Sequence, residues 1–288
     1  MINKANELKI AIPSKGRLNE QATAILKKSG LKFNVSGRQL FASCSKMGVL
    51  IIFSHAQDIP SLVEKGVVDM GITGSDLIIE KHAYVTEHLK LGFGKCRLSF
   101  AVHKDSNYQS VQDLQGKILG TKFVNVARKY LTEQNLRNVQ ILEINGAVEI
   151  MVLLNLVDAI LDVVETGNSL REHDLVEKEV VLQAEAVLIG NELSAHKELK
   201  QRLVRRIEGV VVAANYSMLE YNCPAEVIKK AIVITPGYSS PTIQKTDNPD
   251  WVAVKVMVEK GQVQSIMDRL EEISCQAILE TEVLHCRL

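Results

Sequence analysis

From Leu8 onward the chain alternates short apolar runs of strand length with longer runs whose apolar residues recur every three or four positions. That alternation leaves little room for anything but sheets with helices packed on their faces, an α/β fold. LKIAIP (8–13) predicts a strand, the run after it sets Leu18, Ala22, Ile25 and Leu26 on one face, and VLIIFS (49–54) predicts a second strand. Asp58 stands where it can cap a helix that has Pro60 in its first turn and Leu62 and Val63 toward the core. Gly66 ends that helix, and VDMGIT (68–73) returns as a strand into Gly74-Ser75-Asp76. LSFAVH (98–103) opens a second series, continued by LQGKILGTK, a helix in NVARKYLTEQN, and VQILEI. Then GAVEIMVLLNLV (146–157) has helical spacing, DAILDVV (158–164) alternates as a buried strand, VLQAEAVLIG (181–190) reads as one strand, and a charged helix is expected over residues 192–206.

A chain that leaves one lobe, builds a second and comes back makes two lobes with a cleft between them, a common seat for small ligands. The expected division is lobe I from 1–97 and 187–216, lobe II from 98–186, and a compact appendage from 217–288. In the appendage a helix from Pro224 to Ile232 precedes a polar turn and a strand with Val252, Val254, Val256 and Val258 on one face. A helix with Val263, Ile266, Met267, Leu270 and Ile273 at three-and-four spacing follows, then AILETEV as a strand, an order that suits a βαββαβ sandwich.

Composition narrows the function. Lys plus Arg and Asp plus Glu number 34 each, so the basic footprint of a nucleic-acid binder is missing. The longest apolar stretches, such as Ile150 to Leu154, fall far short of the roughly 20 residues that cross a bilayer. No export signal is visible at the start, where Pro13 breaks the apolar patch. Cys44, Cys96, Cys223, Cys275 and Cys286 are odd in number and scattered, which argues against a disulfide framework or zinc site and suits a reducing cytoplasm. The seven histidines show no HExxH, and no GxSxG elbow is present.

The stretch richest in chemistry is DAILDVVETGNSL (158–170). Asp158 and Asp162 share a strand face but lie roughly 13 Å apart, too far for a carboxylate dyad. Glu165, Thr166, Gly167, Asn168 and Ser169 follow at the strand's exit, where N–H groups and hydroxyls can surround a phosphate; a tight turn with a solvated acid reads equally well. Asn145 to Glu149 opens a helix and is a second anion candidate, with Glu149 either reaching a sugar hydroxyl or simply favouring the helix dipole. Ser14-Lys15-Gly16-Arg17 could receive a polyphosphate although it lacks Walker spacing, and Gly92 to Arg97 could be a hinge or a nucleotide contact. Cys96 reads as a structural thiol.

Together IPSKGRL, DIPSLVEKGVVDMGITGSDLI, LGFGKCRLSFAV, NGAVEI and DAILDVVETGNSLRE resemble the long-form ATP phosphoribosyltransferase family, the first enzyme of histidine biosynthesis, over nearly the full chain. The resemblance implies a two-lobed catalytic core of the type II periplasmic-binding-protein kind and a C-terminal ACT-like regulatory domain. It implies transfer of the phosphoribosyl group of phosphoribosyl pyrophosphate (PRPP) to N1 of ATP, Mg2+ held mainly by the substrate phosphates, and homodimers assembling to homohexamers without a separate regulatory subunit. By the same resemblance Glu149, Asp162, Glu165, Thr166, Gly167, Asn168 and Ser169 bind PRPP. Lys15, Gly16, Arg17, Asp76, Gly94, Lys95, Cys96 and Arg97 meet ATP or pyrophosphate, and Asn222, Tyr238, Ser240, Thr242 and Ala277 line a site for histidine as inhibitor. His55, Asn222 and Val124 depart from residues common in the family, an Arg, an Asp and a Pro. Two other readings stand beside this one. A prephenate dehydratase also has an ACT domain, and Thr121-Lys122-Phe123 resembles its TRF motif with the second residue changed. The other is a two-lobed amino-acid sensor that only binds.

Overall fold

The fold, a computed structural model that describes residues 7–34 and 39–287, turns this alternation into three sheets. In chain order the first stretch gives β1 (Leu8–Pro13), α1 (Gly16–Lys28), β2 (Phe41–Cys44), β3 (Val49–Ser54), α2 (Ile59–Glu64), β4 (Met70–Gly74), α3 (Ser75–Glu80) and β5 (Thr86–Lys90). The middle gives β6 (Cys96–His103), β7 (Ile118–Thr121), α4 (Val124–Glu133), β8 (Gln140–Glu143), α5 (Val148–Leu153), β9 (Ala159–Val164), α6 (Asn168–Glu172) and β10 (Leu175–Ala184). After it come β11 (Ala186–Gly190), α7 (Lys197–Ala213), β12 (Tyr216–Pro224), α8 (Ile228–Ile234), β13 (Thr242–Lys245), β14 (Trp251–Glu259), α9 (Val263–Glu272) and β15 (Gln276–Glu282).

The first sheet runs β2-β3-β1-β4-β11-β5. Its strand β1 lies between β3 and β4, parallel to both, and a strand enclosed on two sides must be apolar almost throughout. LKIAIP meets that demand: Leu8, Ile10, Ala11 and Ile12 are fully buried. Helix α1 buries Ala22, Ile25 and Leu26, the face its spacing predicts. Each buried Leu or Ile stabilises the fold by roughly 1.5–3 kcal/mol. The second sheet runs β10-β6-β9-β7-β8, with β7 parallel to β8 and β9. Its core gathers Leu98, Phe100, Val102, Leu119 and Leu161 against Phe123, Val126 and Leu131.

Two crossings join these sheets. The chain leaves the first sheet after Lys90 and enters the second at Cys96; it returns between Ala184, which pairs with Cys96, and Ala186, which pairs with Gly74. Only Glu185 separates those two strands. The crossings are tied side by side by Leu91 N–H to Ala186 O and Ala186 N–H to Phe93 O, both 2.9 Å. The Gly92–Arg97 segment is therefore built into the connection between the sheets.

Three local expectations need correction. VLQAEAVLIG is not one strand, because it divides at Glu185 between two sheets, and the first of them starts as early as Leu175. That early part, LVEKEVV, is charged because β10 is an edge strand. The helix expected over 192–206 spans Lys197–Ala213. Its start is delayed because Asn191 Oδ1 accepts Leu193 N–H at 2.7 Å and Ser194 Oγ accepts His196 N–H at 3.2 Å, folding the segment into a turn. Asp58 stands at the N-cap of α2 without a capping bond. A 3-10 turn over Ala56–Asp58 leaves its backbone helical instead of the extended form that aims a cap.

Residues up to Lys27 with Leu31–Val204 form one compact unit, and Lys28–Gly30 with the chain from Arg205 form the other. The second unit carries the third sheet, β13-β14-β12-β15, all antiparallel, with α8 and α9 completing a βαββαβ order. Val254, Val256 and Val258 meet Val263, Ile266 and Leu270 of α9 in its core.

Candidate active site

In sheets containing parallel strands, ligands collect beyond the carboxyl ends of those strands. Here each of the first two sheets supplies three such ends. Pro13, Ser54 and Gly74 lead into Lys15 to Arg17, His55 and Asp76; Thr121, Glu143 and Val164 lead into Lys122, Asn145 and Glu165. The two sets meet. Arg17 Nη1 donates to Glu165 Oε2 at 2.8 Å, joining a residue expected on the ATP side to one expected on the PRPP side. Lys15, Gly16 and Arg17 are otherwise exposed.

Beyond β9, Gly167 adopts φ +77° at the N-cap of α6, a conformation that only glycine takes without cost. Thr166, Asn168 and Ser169 around it are exposed, and Asn168 Oδ1 accepts from Arg171. Glu149, from the first turn of α5, accepts the Ser169 hydroxyl at 2.6 Å. Burial opposes its charge, yet Ser169, its own backbone N–H, His173 and Lys122 together hold the carboxyl below its ordinary value. In the structure Glu149 thus braces the loop.

Asp162 is paired with Lys122, Nζ to Oδ1 3.0 Å, and accepts Val163 N–H. Asp76 is 6% exposed. Burial pushes its carboxyl up, against the lowering influence of the Leu77 and Asp76 N–H groups and of Lys122. It approaches the backbone so closely that a Cβ on Gly74 would lie 2.2 Å from its Oδ1 and would force the carboxylate to move. Cys96 is half buried; burial, then Asp76 and Glu165, push its thiol up to about 11, so it is no nucleophile. Arg97 forms a fork with Glu177, Nε to Oε1 2.5 Å and Nη2 to Oε2 2.6 Å, and Ser99 Oγ donates to the same carboxylate at 2.7 Å. The Arg97 hydrogen bonds hold Glu177 below the ordinary carboxylate range, although burial opposes them. Arg97 Nη1 also reaches Glu165 O at 3.3 Å.

Two cavities of about 500 Å³ open here, within the usual range for small ligands. The first is lined by Ser75, Lys90, Lys95, Cys96, Arg97, Glu165 and Glu185. The second is lined by His55, Gln57, Glu80, Lys122, Phe123, Asn145 and Gly146. Asp76 sits between them in sequence, its neighbours Ser75 and Leu77 lining one each. The cavities are also lined by residues that carry no motif, Lys90, Glu80 and Lys122, and Glu177 stands behind them as the partner of Arg97. Lys122 carries a readable signal, since it follows the carboxyl end of a parallel strand as Glu165 does.

The candidates for histidine fall into two groups. Asn222 is exposed on β12, paired with Ala253 and Gln276; next to Gln276, Ala277 takes φ +51° where the β12–β15 register shifts. Thr242 pairs with Lys255, whose ammonium meets Glu220 at 2.6 Å, and exposed Ser240 precedes it. Tyr238 stands apart, edge-on to Tyr216 with ring centroids 6.5 Å apart, lining a cavity of about 250 Å³ with Pro236, Gly237 and Met257. Tyr216 lies roughly 20 Å along β12 from Asn222.

Comparison with known proteins now bears on this geometry. A family model described as ATP phosphoribosyltransferase matches residues 55–209, and one described as HisG, C-terminal domain, matches residues 213–285. The ATP phosphoribosyltransferase of Rhodopirellula baltica is 44% identical over 281 residues, 98% of this chain and 94% of its own. The chain belongs to the ATP phosphoribosyltransferase family. The Mycobacterium tuberculosis ATP phosphoribosyltransferase is 39% identical over 284 residues, covering 97% of this chain and 99% of its own. Among solved structures, the ATP phosphoribosyl transferase (HisG:HisZ) complex from Thermotoga maritima superposes with a TM-score of 0.63 at 26% identity, over 71% of this chain and 97% of that one. An ArgBP variant from T. maritima superposes with a TM-score of 0.50 at 11% identity over 74% of this chain and 93% of that one, a likeness of fold alone. As an ATP phosphoribosyltransferase the chain is a glycosyltransferase: it joins the phosphoribosyl group of PRPP to N1 of ATP, releases pyrophosphate and begins histidine biosynthesis. The matches favour neither a prephenate lyase nor a non-catalytic sensor. Among the described residues no helix is long and apolar enough to cross a membrane.

Proposed function

We propose that this reaction takes place where the carboxyl ends of the two three-strand sets converge, between lobe I (1–97 and 187–216) and lobe II (98–186). PRPP is held on the lobe II side: Thr166, Gly167, Asn168 and Ser169 receive the 5-phosphate, and Glu149, Asp162 and Glu165 face the ribose. Lys15, Gly16, Arg17, Asp76, Gly94, Lys95, Cys96 and Arg97 meet ATP and the departing pyrophosphate. The observation that carries this reading is the Arg17–Glu165 pair, which brings one member of each set within 2.8 Å.

The chemistry asks for both signs of charge. As the ribose C1–O bond breaks, its electron pair leaves with pyrophosphate and positive charge grows on the sugar; the adenine N1 lone pair then forms the N1–C1 bond. The carboxylates of Glu149, Asp162 and Glu165 suit the sugar, and Lys95, Arg17 and Arg97 suit the pyrophosphate. Since N1 is itself the nucleophile, alignment of the reactants and exclusion of water supply the larger part of the rate. The donors in the cleft are carboxylates and hydroxyls, a set that fits hard Mg2+ bound largely through substrate oxygens and water, with Asp162 and Glu165 as protein partners. Among the described residues no three His, Cys, Asp or Glu side chains gather to enclose an ion. When bound, Mg2+ neutralises charge on the pyrophosphate.

The tail, residues 217–288, is proposed as the sensor through which histidine inhibits, with Asn222, Thr242 and Ala277 on its sheet and Tyr238 and Ser240 in the turn before β13. The T. maritima neighbour is named as a HisG:HisZ complex, whereas this chain carries a match to a HisG C-terminal domain within itself. That difference supports homodimers and hexamers without a separate regulatory subunit; the scattered cysteines suit work in a reducing cytoplasm. Purified protein with Mg2+, ATP and PRPP is expected to form phosphoribosyl-ATP and pyrophosphate, to slow when histidine is added, and to show a raised KM for PRPP in Thr166→Ala. An unaltered PRPP KM in that variant removes the loop assignment; equal inhibition of full-length and 1–216 chains removes the tail as sensor.

A further inference from the structure

Helix α4 has no cap of its own. Its N-cap residue is Phe123, whose side chain offers no acceptor, and the N–H groups of Asn125 and Val126 go instead to Glu80 Oε2, at 3.0 and 3.1 Å. Asn125 reinforces the contact, its Nδ2 donating to Glu80 O at 2.7 Å. Glu80 closes α3, which follows β4 of the first sheet, while α4 follows β7 of the second. Helix α3 is shared between the two cores, Leu77 and Ile79 packing against that of the second sheet and Ile78 against that of the first, so the cap comes from a neighbouring helix far away in sequence. A carboxylate at this place satisfies two of the helix's open donors and complements the positive end of its dipole.

What lies just before the capped turn gives the contact a consequence. Thr121 Oγ1 donates to Leu161 O at 2.6 Å and accepts Phe123 N–H at 2.9 Å, so the corner Thr121–Phe123 is held by β9 on one side and by Glu80 on the other. Lys122 projects from the middle of that corner. Its ammonium is 3.0 Å from Asp162 and 5.3 Å from the centre of the Phe123 ring, and Glu80, Lys122 and Phe123 all line the second cavity. One carboxylate partner leaves further ammonium protons of Lys122 able to donate to an anion.

We infer that Glu80 is a positioning residue for phosphoribosyl transfer: by capping α4 from α3 it sets where Lys122 stands, so that Lys122 can meet a phosphate group of the substrates. The inference rests on the reading of this cleft as the substrate site.

The test is a cycle of Glu80→Ala, Lys122→Met and their combination in the full-length protein, read by steady-state kinetics with ATP and PRPP and by amide hydrogen exchange at Asn125 and Val126. Glu80→Ala is expected to speed exchange at those two amides and to lower kcat on the order of tenfold to a hundredfold, the cost of a small misplacement. Glu80→Gln, which keeps an acceptor at the same reach, is expected to fall between Ala and wild type, and serves if the Ala variant does not fold. In the Lys122→Met background Glu80→Ala should cost nothing more, because its effect passes through Lys122. Additive losses overturn the inference, as does faster exchange with unchanged kinetics. A Lys122→Met enzyme as active as wild type shows instead that the second cavity is not the substrate site, and the inference falls with that reading.

Discussion

Two contacts that bring distant parts of the catalytic core together differ in kind. Arg17 and Glu165 meet as long side chains, 72% and 51% exposed, whereas Glu80 grips main-chain N–H groups at the start of a helix. An exposed ion pair contributes little, about 0–1 kcal/mol, because water and salt compete for both partners. A phosphate can therefore take Arg17 from Glu165 at small cost, and the guanidinium fork suits that exchange. The capped corner has no such easy substitute. The difference teaches that one contact is suited to being broken by a substrate and the other to holding the start of a helix in place.

The sharpest way to break the comparison is to deform the exchangeable side at its backbone. Gly167→Val puts a β-branched residue at φ +77°, where even ordinary residues pay roughly 1–2 kcal/mol. The KM for PRPP should rise at least about tenfold, while the strain lowers Tm by roughly 2–4 °C for each kcal/mol and leaves the protein folded. Unchanged PRPP kinetics would mean that the loop after β9 does not hold the substrate. On the other side, Thr121→Val keeps the shape of a fully buried residue but leaves Leu161 O and Phe123 N–H without their hydroxyl partner. A loss of about 1–3 kcal/mol in denaturant unfolding is expected, with a fall in kcat. Stability lost at full kcat would separate the corner from catalysis.

The sequence neighbours of Asp76 line one cavity each, and pH can question its buried carboxyl. Burial raises its carboxyl above the ordinary 3.8, so the native state binds this proton more tightly than the unfolded chain does. Its favourable contribution is present at low pH and lost as pH rises through the raised value; at neutral pH the buried charge is a burden. Asp76→Asn should therefore melt higher than wild type near neutrality, and the gap should shrink as pH falls toward 3.8, while ATP kinetics suffer. A gap that does not vary with pH would mean that the carboxyl is not desolvated.

Much of this arrangement could be read from residue order. LKIAIP announced an enclosed strand because nearly every position faces protein, and Leu18, Ala22, Ile25 and Leu26 announced the inner face of α1. The ETGNS loop drew attention because small polar residues gather there at a strand's exit. What escaped did so for physical reasons. LVEKEVV, in β10, looks like a charged loop because only one of its edges is paired. Glu80 and Asn125 are 45 residues apart, and nothing local in either marks a cap that one helix supplies to another. Lys122 and Glu177 are single charged residues whose meaning comes from Asp162 and Arg97 beside them.

The smallest expected effect tests the exchangeable contact itself. In a double-mutant cycle of Arg17→Ala and Glu165→Ala, thermal unfolding should give a coupling energy below about 1 kcal/mol, shrinking further with added salt. The kinetic cycle should differ in sign from a simple latch. If Arg17 must leave Glu165 before it can receive pyrophosphate, removing Glu165 frees the guanidinium, and part of the loss from Glu165→Ala should be offset in ATP affinity as long as Arg17 is present. That offset should vanish in the Arg17→Ala background. A coupling well above 1 kcal/mol, or an ATP affinity that falls equally with and without Arg17, would make the pair a structural brace, and the two contacts would then be of one kind.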